Sequence, residues 1–420
     1  NQTIGGDADG GGFYASVCGG GSNQSNMTNC IFTGNSSEWR GGGLSVHCLA
    51  SVTLEECTVS ENTATGPGGG IVNPNSPLSL LNTTVCSNTS DQINGVYNDL
   101  GGNCISEVCD SDDDGTNNCD DGCPDDANKT EPGDCGCGVA ETDTDGDGIA
   151  DCIDPCPTWP GSCSEDGQTL FVAVGESIQT AIDVVPVGGI VEVAAGTFQP
   201  TTTLDPAGKA FTLRGAVDID GAPLTTLDGQ DSIRLLQCTS GEGPSTVFEN
   251  LVIANGSSLD GGGMFVDGSS PSLLNCIFLN NSAGWGGGLY AFIGCDIQLT
   301  NCRFEGNSAS FRGGGLLLNE DSTATIDQCV FRSNTANDFG GAIYSPNNGD
   351  STISNTVICE NAPSTSQISP LGNYTDLGGN CITTVCDLDS DDDDTLDCFD
   401  NCPNDSDKTE PGDCGCGVAD

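Results

Sequence analysis

One column of residues constrains this chain more than any other feature. Asn255, Asn281, Asn307, Asn334 and Asn361 recur at spacings of 26, 26, 27 and 27, and Asn35 and Asn62 occupy the same column in the first half. A Gly-Gly cluster follows all of these but Asn361, and a cysteine precedes most of them by five positions, as in "CVFRSNTANDFGGAI". Short alternating runs such as "DIQLTNC" read as strands, and nothing in the repeat has helical periodicity. One repeat of this length cannot bury its own apolar face, so neighbours must stack and share a core. A coil of three short strands, climbing one strand spacing per turn, meets these demands. It stacks Asn on Asn at one corner, puts Gly where the backbone needs positive φ or close approach, and turns Ile, Leu, Val and Phe inward.

The columns resemble the repeat of chlamydial-type polymorphic outer-membrane proteins, in which F-x-x-N and G-G-A-[ILV] motifs recur, and Val330–Ile343 matches them best. That resemblance implies a right-handed parallel β-helix. The segment "SIQTAIDVVPVGGIVEVAAGTFQPTTTLDPAGKAFTLRG", Ser177–Gly215, is similar to the start of pectin-lyase-like β-helices. It implies a capping helix over Ser177–Val185, ahead of strands in "GIVEVAAGTF" and "AFTLRG". Ser177 suits an N-cap, and Ile178, Ala181, Ile182 and Val185 form the apolar face.

A second repeat is longer. "DLGGNCISEVC" and "KTEPGDCGCGVAE", which ends at Glu141, return as "DLGGNCITTVC" and "KTEPGDCGCGVAD", which ends at Asp420. Cys104 and Cys109 match Cys381 and Cys386 at an offset of 277, while Cys119, Cys123, Cys135 and Cys137 match Cys398, Cys402, Cys414 and Cys416 at 279. One full unit is therefore expected from about Thr142 to Asp420, with residues 1–141 as the back part of a preceding unit. The expected segments are a β-helix over 1–103, an acidic Cys-rich linker over 104–166, a β-helix with its capping helix over 167–380, and an acidic Cys-rich segment over 381–420.

The acidic segments have metal-ligand spacing. In "DTDGDGIADCID" the positions 1, 3, 5, 9 and 12 are Asp143, Asp145, Asp147, Asp151 and Asp154, Gly148 permits the turn, and the Ile149 carbonyl falls at position seven. A cation of calcium's size takes six to eight oxygens, and alternating carboxylates on a tight loop supply them. A second copy offers Asp110, Asp112, Asp114, Thr116, Asn118 and Asp121, and a third Asp389, Asp391, Asp393, Thr395, Asp397 and Asp400, with Asp394 in place of the loop glycine. No flanking helices are expected, so these are not EF-hands. They resemble thrombospondin type 3 repeats, which implies disulfide-locked calcium loops with little other core. Zinc held by Cys119, Cys123, Cys135 and Cys137 is the other reading of the "CDDGC…CGC" cysteines. Their gaps of three and one residues favour disulfides over a zinc site.

The chain carries 9 Lys+Arg against 61 Asp+Glu, a formal charge of −52, which excludes nucleic acid and anionic membranes as partners. It has no apolar run long enough to insert in a membrane. Its 26 Cys point to an exported protein, extracellular or on the cell surface. Cys276, Cys302 and Cys329 share one repeat position, as do Cys30 and Cys57, so stacked coils could bridge them; Cys295 with Cys302 and Cys48 with Cys57 are rival pairs. Cys86 and Cys359 are displaced, placed to staple the last coil to the acidic segment.

The pectin-lyase resemblance raises polysaccharide cleavage, but the basic residues (Arg40, Lys129, Lys209, Arg214, Arg234, Arg303, Arg312, Arg332 and Lys408) are scattered over different coils. His47 is the only histidine. No enzyme is expected. Trp39, Trp285, Phe311 and Phe339 share one corner, as a sugar platform or, the preferred reading, as a stack along consecutive coils. Sequons at Asn1, Asn23, Asn26, Asn35, Asn82, Asn88, Asn128, Asn255, Asn280, Asn373 and Asn404 are glycosylation candidates. Together these features predict an all-β chain of right-handed parallel β-helix blocks joined by calcium-binding, disulfide-linked loops. The functional expectation is an extracellular structural or adhesive protein that self-associates head-to-tail into a fibre, with surface glycans as a further partner. The alternative is a carbohydrate-binding or polysaccharide-degrading module.

Overall fold

A computed structural model describes residues 2–3, 9–18, 24–346, 351–364, 367–369, 374–386, 402, 404, 406–409 and 416. The chain forms two compact units, Asn1–Thr142 and Asp143–Asp420. Each is a parallel β-helix. In the first unit the strands stack into one three-stranded and three four-stranded sheets; in the second the sheets hold nine, eight, six and four strands. Every pairing between named strands is parallel, each strand to its counterpart one coil away, as in Ile277↔Arg303 and Arg303↔Val330.

The strands are three to five residues long in most places, because each side of the coil is short and a polar corner follows. Inward positions are fully buried. Phe278, Phe304 and Phe331 stack with centroids 4.6 Å apart and ring planes within 2°, one strand spacing per coil. Full burial of such a side chain contributes about 1.5–3 kcal/mol.

The asparagine ladder is present in both units. The backbone N and Nδ2 of Asn281 both donate to Asn307 Oδ1, those of Asn307 to Asn334 Oδ1, and those of Asn334 to Asn361 Oδ1, at 2.9–3.0 Å. Asn35, Asn62 and Asn88 repeat the pattern. Asn255 does not belong to the ladder. It pairs in register with Asn280, at φ 54°, and Gly256 holds the ladder position, its N–H donating to Asn281 Oδ1 at 2.7 Å. The glycine triplets stack backbone on backbone. A Cβ on Gly314 would lie on the carbonyl oxygens of Thr335 and Gly341.

The coil has four sides where three were expected. The segment between ladder Asn and glycines, for example Ser282–Trp285, is extended and pairs with Ser257–Asp260 and Ser308–Arg312. This fourth side roofs a satellite cluster of Tyr290, Leu317 and Tyr344, against which Trp285, Phe265 and Phe292 pack.

The capping helix spans Ile178–Val184, with Ser177 Oγ accepting from Thr180 N at 3.2 Å, and it buries Ile178, Ala181 and Ile182. Lys209 Nζ donates to the carbonyls of Ile182, Asp183 and Val185, satisfying the helix C-terminus. None of the described helices is long and apolar enough to cross a membrane.

Candidate metal centre

Two acidic loops fold alike, one in each unit. In the first, Asp110 accepts from Asp113 N and Gly115 N at 2.8 and 2.9 Å, Asp112 from Asp114 N at 3.3 Å, and Asp114 from Thr116 N at 2.6 Å. In the second, Asp143 accepts from Gly146 N and Gly148 N at 2.7 and 3.0 Å, Asp145 from Asp147 N at 3.2 Å, and Asp147 from Ile149 N at 2.8 Å. These local bonds curl the backbone around its own carboxylates. One oxygen from each of Asp110, Asp112 and Asp114 lies within 4.8 Å of the others, and so for Asp143, Asp145 and Asp147.

Position twelve is held in the same way in each loop. Asp121 Oδ1 accepts from Cys123 N at 2.7 Å, and Asp154 Oδ1 from Cys156 N at 2.8 Å. The Oδ2 atoms of Asp112, Asp121, Asp145 and Asp154 are shielded from solvent and have no hydrogen-bond partner. A shielded carboxylate oxygen without a donor is costly, and here the same two loop positions carry one in both units. Partial burial, then the charges of Asp147, Asp154 and Asp143, push the Asp145 carboxyl up. Burial and the charges of Asp114 and Asp121 do the same to Asp112. In contrast, the Gly115 amide above all holds Asp110 down. A hard cation would satisfy the orphaned oxygens and relieve this repulsion, so the donor set fits calcium.

Position nine holds the loop closed. Asn118 bonds Ser111 N and Oγ, at 2.8 and 2.6 Å, and Asp151 bonds Thr144 N and Oγ1, at 2.8 and 2.7 Å. Both side chains clamp loop position two, a role the spacing alone did not indicate. The third loop, Asp389, Asp391, Asp393, Thr395, Asp397 and Asp400, lies outside the described residues.

Disulfides tie these loops to the coils. Cys86 bonds Cys109, Cys104 bonds Cys119, Cys123 bonds Cys137, and Cys156 bonds Cys163. Cys156 and Cys163 belong to the second unit, where also Cys359 bonds Cys386 and Cys402 bonds Cys416. Cys86 and Cys359 thus fasten the last coils to the acidic segments, and the four cysteines weighed for zinc are disulfide-bonded. A lysine fills a second niche in the first unit. Lys129 Nζ donates to the carbonyls of Pro132 and Gly136 and, at 2.6 Å, to Glu141. This ammonium does locally what a bound cation would do in the loops.

The stacked cysteines do not bridge. Cys30, Cys57, Cys276, Cys302 and Cys329 are free thiols, as is Cys295, and Cys48 bonds Cys18. Their column is a second hydrogen-bond ladder. Cys302 N donates to Cys329 Sγ, Cys329 N to Thr356 Oγ1, and Thr356 N to Asn380 Oδ1. Cys30, Cys57, Thr83 and Asn103 form the same series in the first unit. Thiol and hydroxyl serve the same purpose there, as acceptors for the amide of the preceding coil.

The other candidates take structural positions. His47 is 9% exposed, and its Nε2 meets both Ser45 Oγ at 2.8 Å and Asp9 Oδ2 at 3.5 Å. Ser and Asp therefore share one ring nitrogen, unlike the relay of a nucleophilic triad. Burial, then Arg40, lowers the His47 pKa. Trp285 stacks on Phe311 at 4.8 Å, and Arg312 lies over Trp285, Phe339 and Tyr344, tying these aromatics together along the coils. Phe311 and Phe339 remain 42% and 48% exposed, as is Trp39 at 49% in the first unit. Among the sequons, Asn35 and Asn88 are buried ladder members, and a glycan on either Nδ2 would break the ladder. Asn255 Nδ2 donates to Asp228 at 2.9 Å, while Asn26, Asn82, Asn128, Asn280 and Asn404 are exposed. Asn1, Asn23 and Asn373 lie outside the described residues.

Two family models match parts of the chain. Residues 235–331 match the right handed beta helix region, and residues 328–346 match the Chlamydia polymorphic membrane protein repeat. No curated protein matches the chain. Among solved structures, the PL6 family alginate lyase AlyGC, in a mutant form, is 10% identical, with 88% of this chain and 67% of that chain covered at a TM-score of 0.28. A likeness at that score carries no functional argument. The chain is thus similar to right-handed β-helices over the middle of its second unit, and to a polymorphic membrane protein repeat at one coil.

Proposed function

We propose that this chain is an extracellular, surface-associated structural or adhesive protein, in which β-helix units alternate with calcium-ordered, disulfide-fastened segments and assemble head-to-tail. The observation that carries the reading is the pair of shielded, unpartnered oxygens at loop positions three and twelve, repeated in both units. When bound there, calcium supplies charge neutralisation. Asp110, Asp112, Asp114 and Asp121 would hold one ion, and Asp143, Asp145, Asp147 and Asp154 another. Asn118 and Asp151 keep the loops curled around them. The disulfides fit an oxidising, extracellular location, and the matched membrane-protein repeat supports a cell-surface setting.

A structural role also accounts for the basic side chains. Arg40 pairs with Asp9, Arg214 with Glu249, Arg303 with Glu305 and Arg332 with Glu360, while Lys209 caps a helix. These cations are spent on the scaffold. Head-to-tail association draws support from the first unit, where Gln24–Thr28 is the outer strand of its sheet. Its inward-facing Met27 and the neighbouring Phe32 are only partly buried. Among the described residues this is an outer strand over partly buried apolar side chains, and such an edge favours addition of another coil. Electron microscopy of the purified chain tests this: filaments in millimolar calcium that disperse on chelation are expected, and dispersed particles under both conditions overturn the assembly.

A further inference from the structure

We infer that cation binding in the first loop locks the last coil of the first β-helix, so that this coil's order follows the calcium level. The inference rests on the calcium reading and adds a regulated element to it. Asp110–Asp121 is anchored at two points to adjacent rungs. Cys109, just before Asp110, is bonded to Cys86 in strand Thr84–Cys86, and Cys119 is bonded to Cys104 in strand Cys104–Ser106. Those strands pair in register, Thr84↔Cys104 through Cys86↔Ser106, and Cys104–Ser106 is the outer member of its sheet.

Asp121 closes the loop. It is 8% exposed, its Oδ1 takes the amide of Cys123, and its Oδ2 is unpartnered and close enough to Asp112 for their charges to interact. Without a cation, the carboxylates at positions one, three, five and twelve repel one another, and the loop opens against its two disulfide tethers. The outermost strand has one strand neighbour to resist that pull. With a cation, the same carboxylates converge and the tethers hold both rungs in register. The metal thus acts at the end of the solenoid, where local opening costs least.

Hydrogen exchange on the full, disulfide-intact chain tests this, in about 1 mM calcium chloride and after chelation. Removal of calcium is expected to speed exchange of the amides in 104–106 about tenfold, leaving 44–47 unchanged. Asp121→Asn is expected to show the fast exchange in both conditions. Calorimetry on the same samples separates the two layers of the argument. Calcium binding with unchanged exchange at 104–106 overturns the inference and leaves the metal site standing. Absence of calcium binding overturns both.

Discussion

Gln367 closes the asparagine ladder of the second unit: its Oε1 accepts from both the backbone N and the Nδ2 of Asn361, at 3.2 and 3.0 Å. The first unit ends the same way, with Gln92 Oε1 accepting from Asn88 N and Nδ2 at 3.1 and 2.8 Å. A stack of carboxamides always leaves its last donors without the next rung. One longer amide, reaching back from the following loop, removes that deficit. Gln367→Ala is expected to strand the buried amide of Asn361 and cost about 1–3 kcal/mol, read as a lower urea midpoint.

Within the ladder the loss is larger, because the side chain's own Nδ2 bonds to Asn334 Oδ1 and Phe278 O go as well. Asn307 accepts two bonds from Asn281 and donates two to Asn334. Asn307→Ala should therefore destabilise the second unit by about 1–3 kcal/mol for each donor left buried without a partner. Chemical denaturation that finds Asn307→Ala no worse than Gln367→Ala would count against the ladder's role.

Backbone stacking makes a separate demand. Gly314→Ala places a methyl group on the carbonyls of Thr335 and Gly341, and is expected to cost about 1–3 kcal/mol or more. Gly294 has positive φ but open space around its Cβ position, so Gly294→Ala should cost only about 1–2 kcal/mol. Thermal melts of the two variants should separate them clearly.

Glu242 gives the second unit an acid sensitivity. It is 2% exposed; burial pushes its carboxyl up, but the amides of Ser240 and Gly208 and the Ser269 hydroxyl together hold it below the ordinary value. A depressed folded-state pKa contributes stability that is present above the unfolded value near 4.3 and is lost as pH falls through the folded one. Glu242→Gln should thus flatten the loss of stability below about pH 4.3, measured as melting temperature against pH.

How much of this was legible depended on whether a residue answers to its own column or to a neighbour. The ladder, the glycine corners and the staples from Cys86 and Cys359 follow from spacing, because each recurs where stacking requires it, while the capping helix follows from the family resemblance and the Ser177 N-cap pattern. The place of Asn255 did not, since a one-residue shift puts Gly256 in the ladder while the sequence still shows an asparagine. The free thiols of Cys302 and Cys329 look like bridge partners in sequence. Only the register shows that each sulfur serves as an acceptor, at the column position where Thr356 serves next. In the acidic loops, alternation marked Asp143, Asp145 and Asp147 as neighbours. The clamp from Asp151 to Thr144 needed coordinates, because any ninth-position carboxylate satisfies the same spacing.

The account turns on whether the acidic loops bind calcium, and calorimetric stoichiometry on the intact chain tests that most directly. Wild type is compared with Asp112→Asn, Asp145→Asn and the double variant, each keeping its side-chain volume while losing a charge. Binding by wild type, with loss of bound calcium in each single variant and summed loss in the double, is the expected result. Proton release on binding should grow below neutral pH, since Asp112 and Asp145 hold their protons more tightly than an ordinary carboxyl. No binding by wild type, or an unchanged stoichiometry in the double variant, would contradict it.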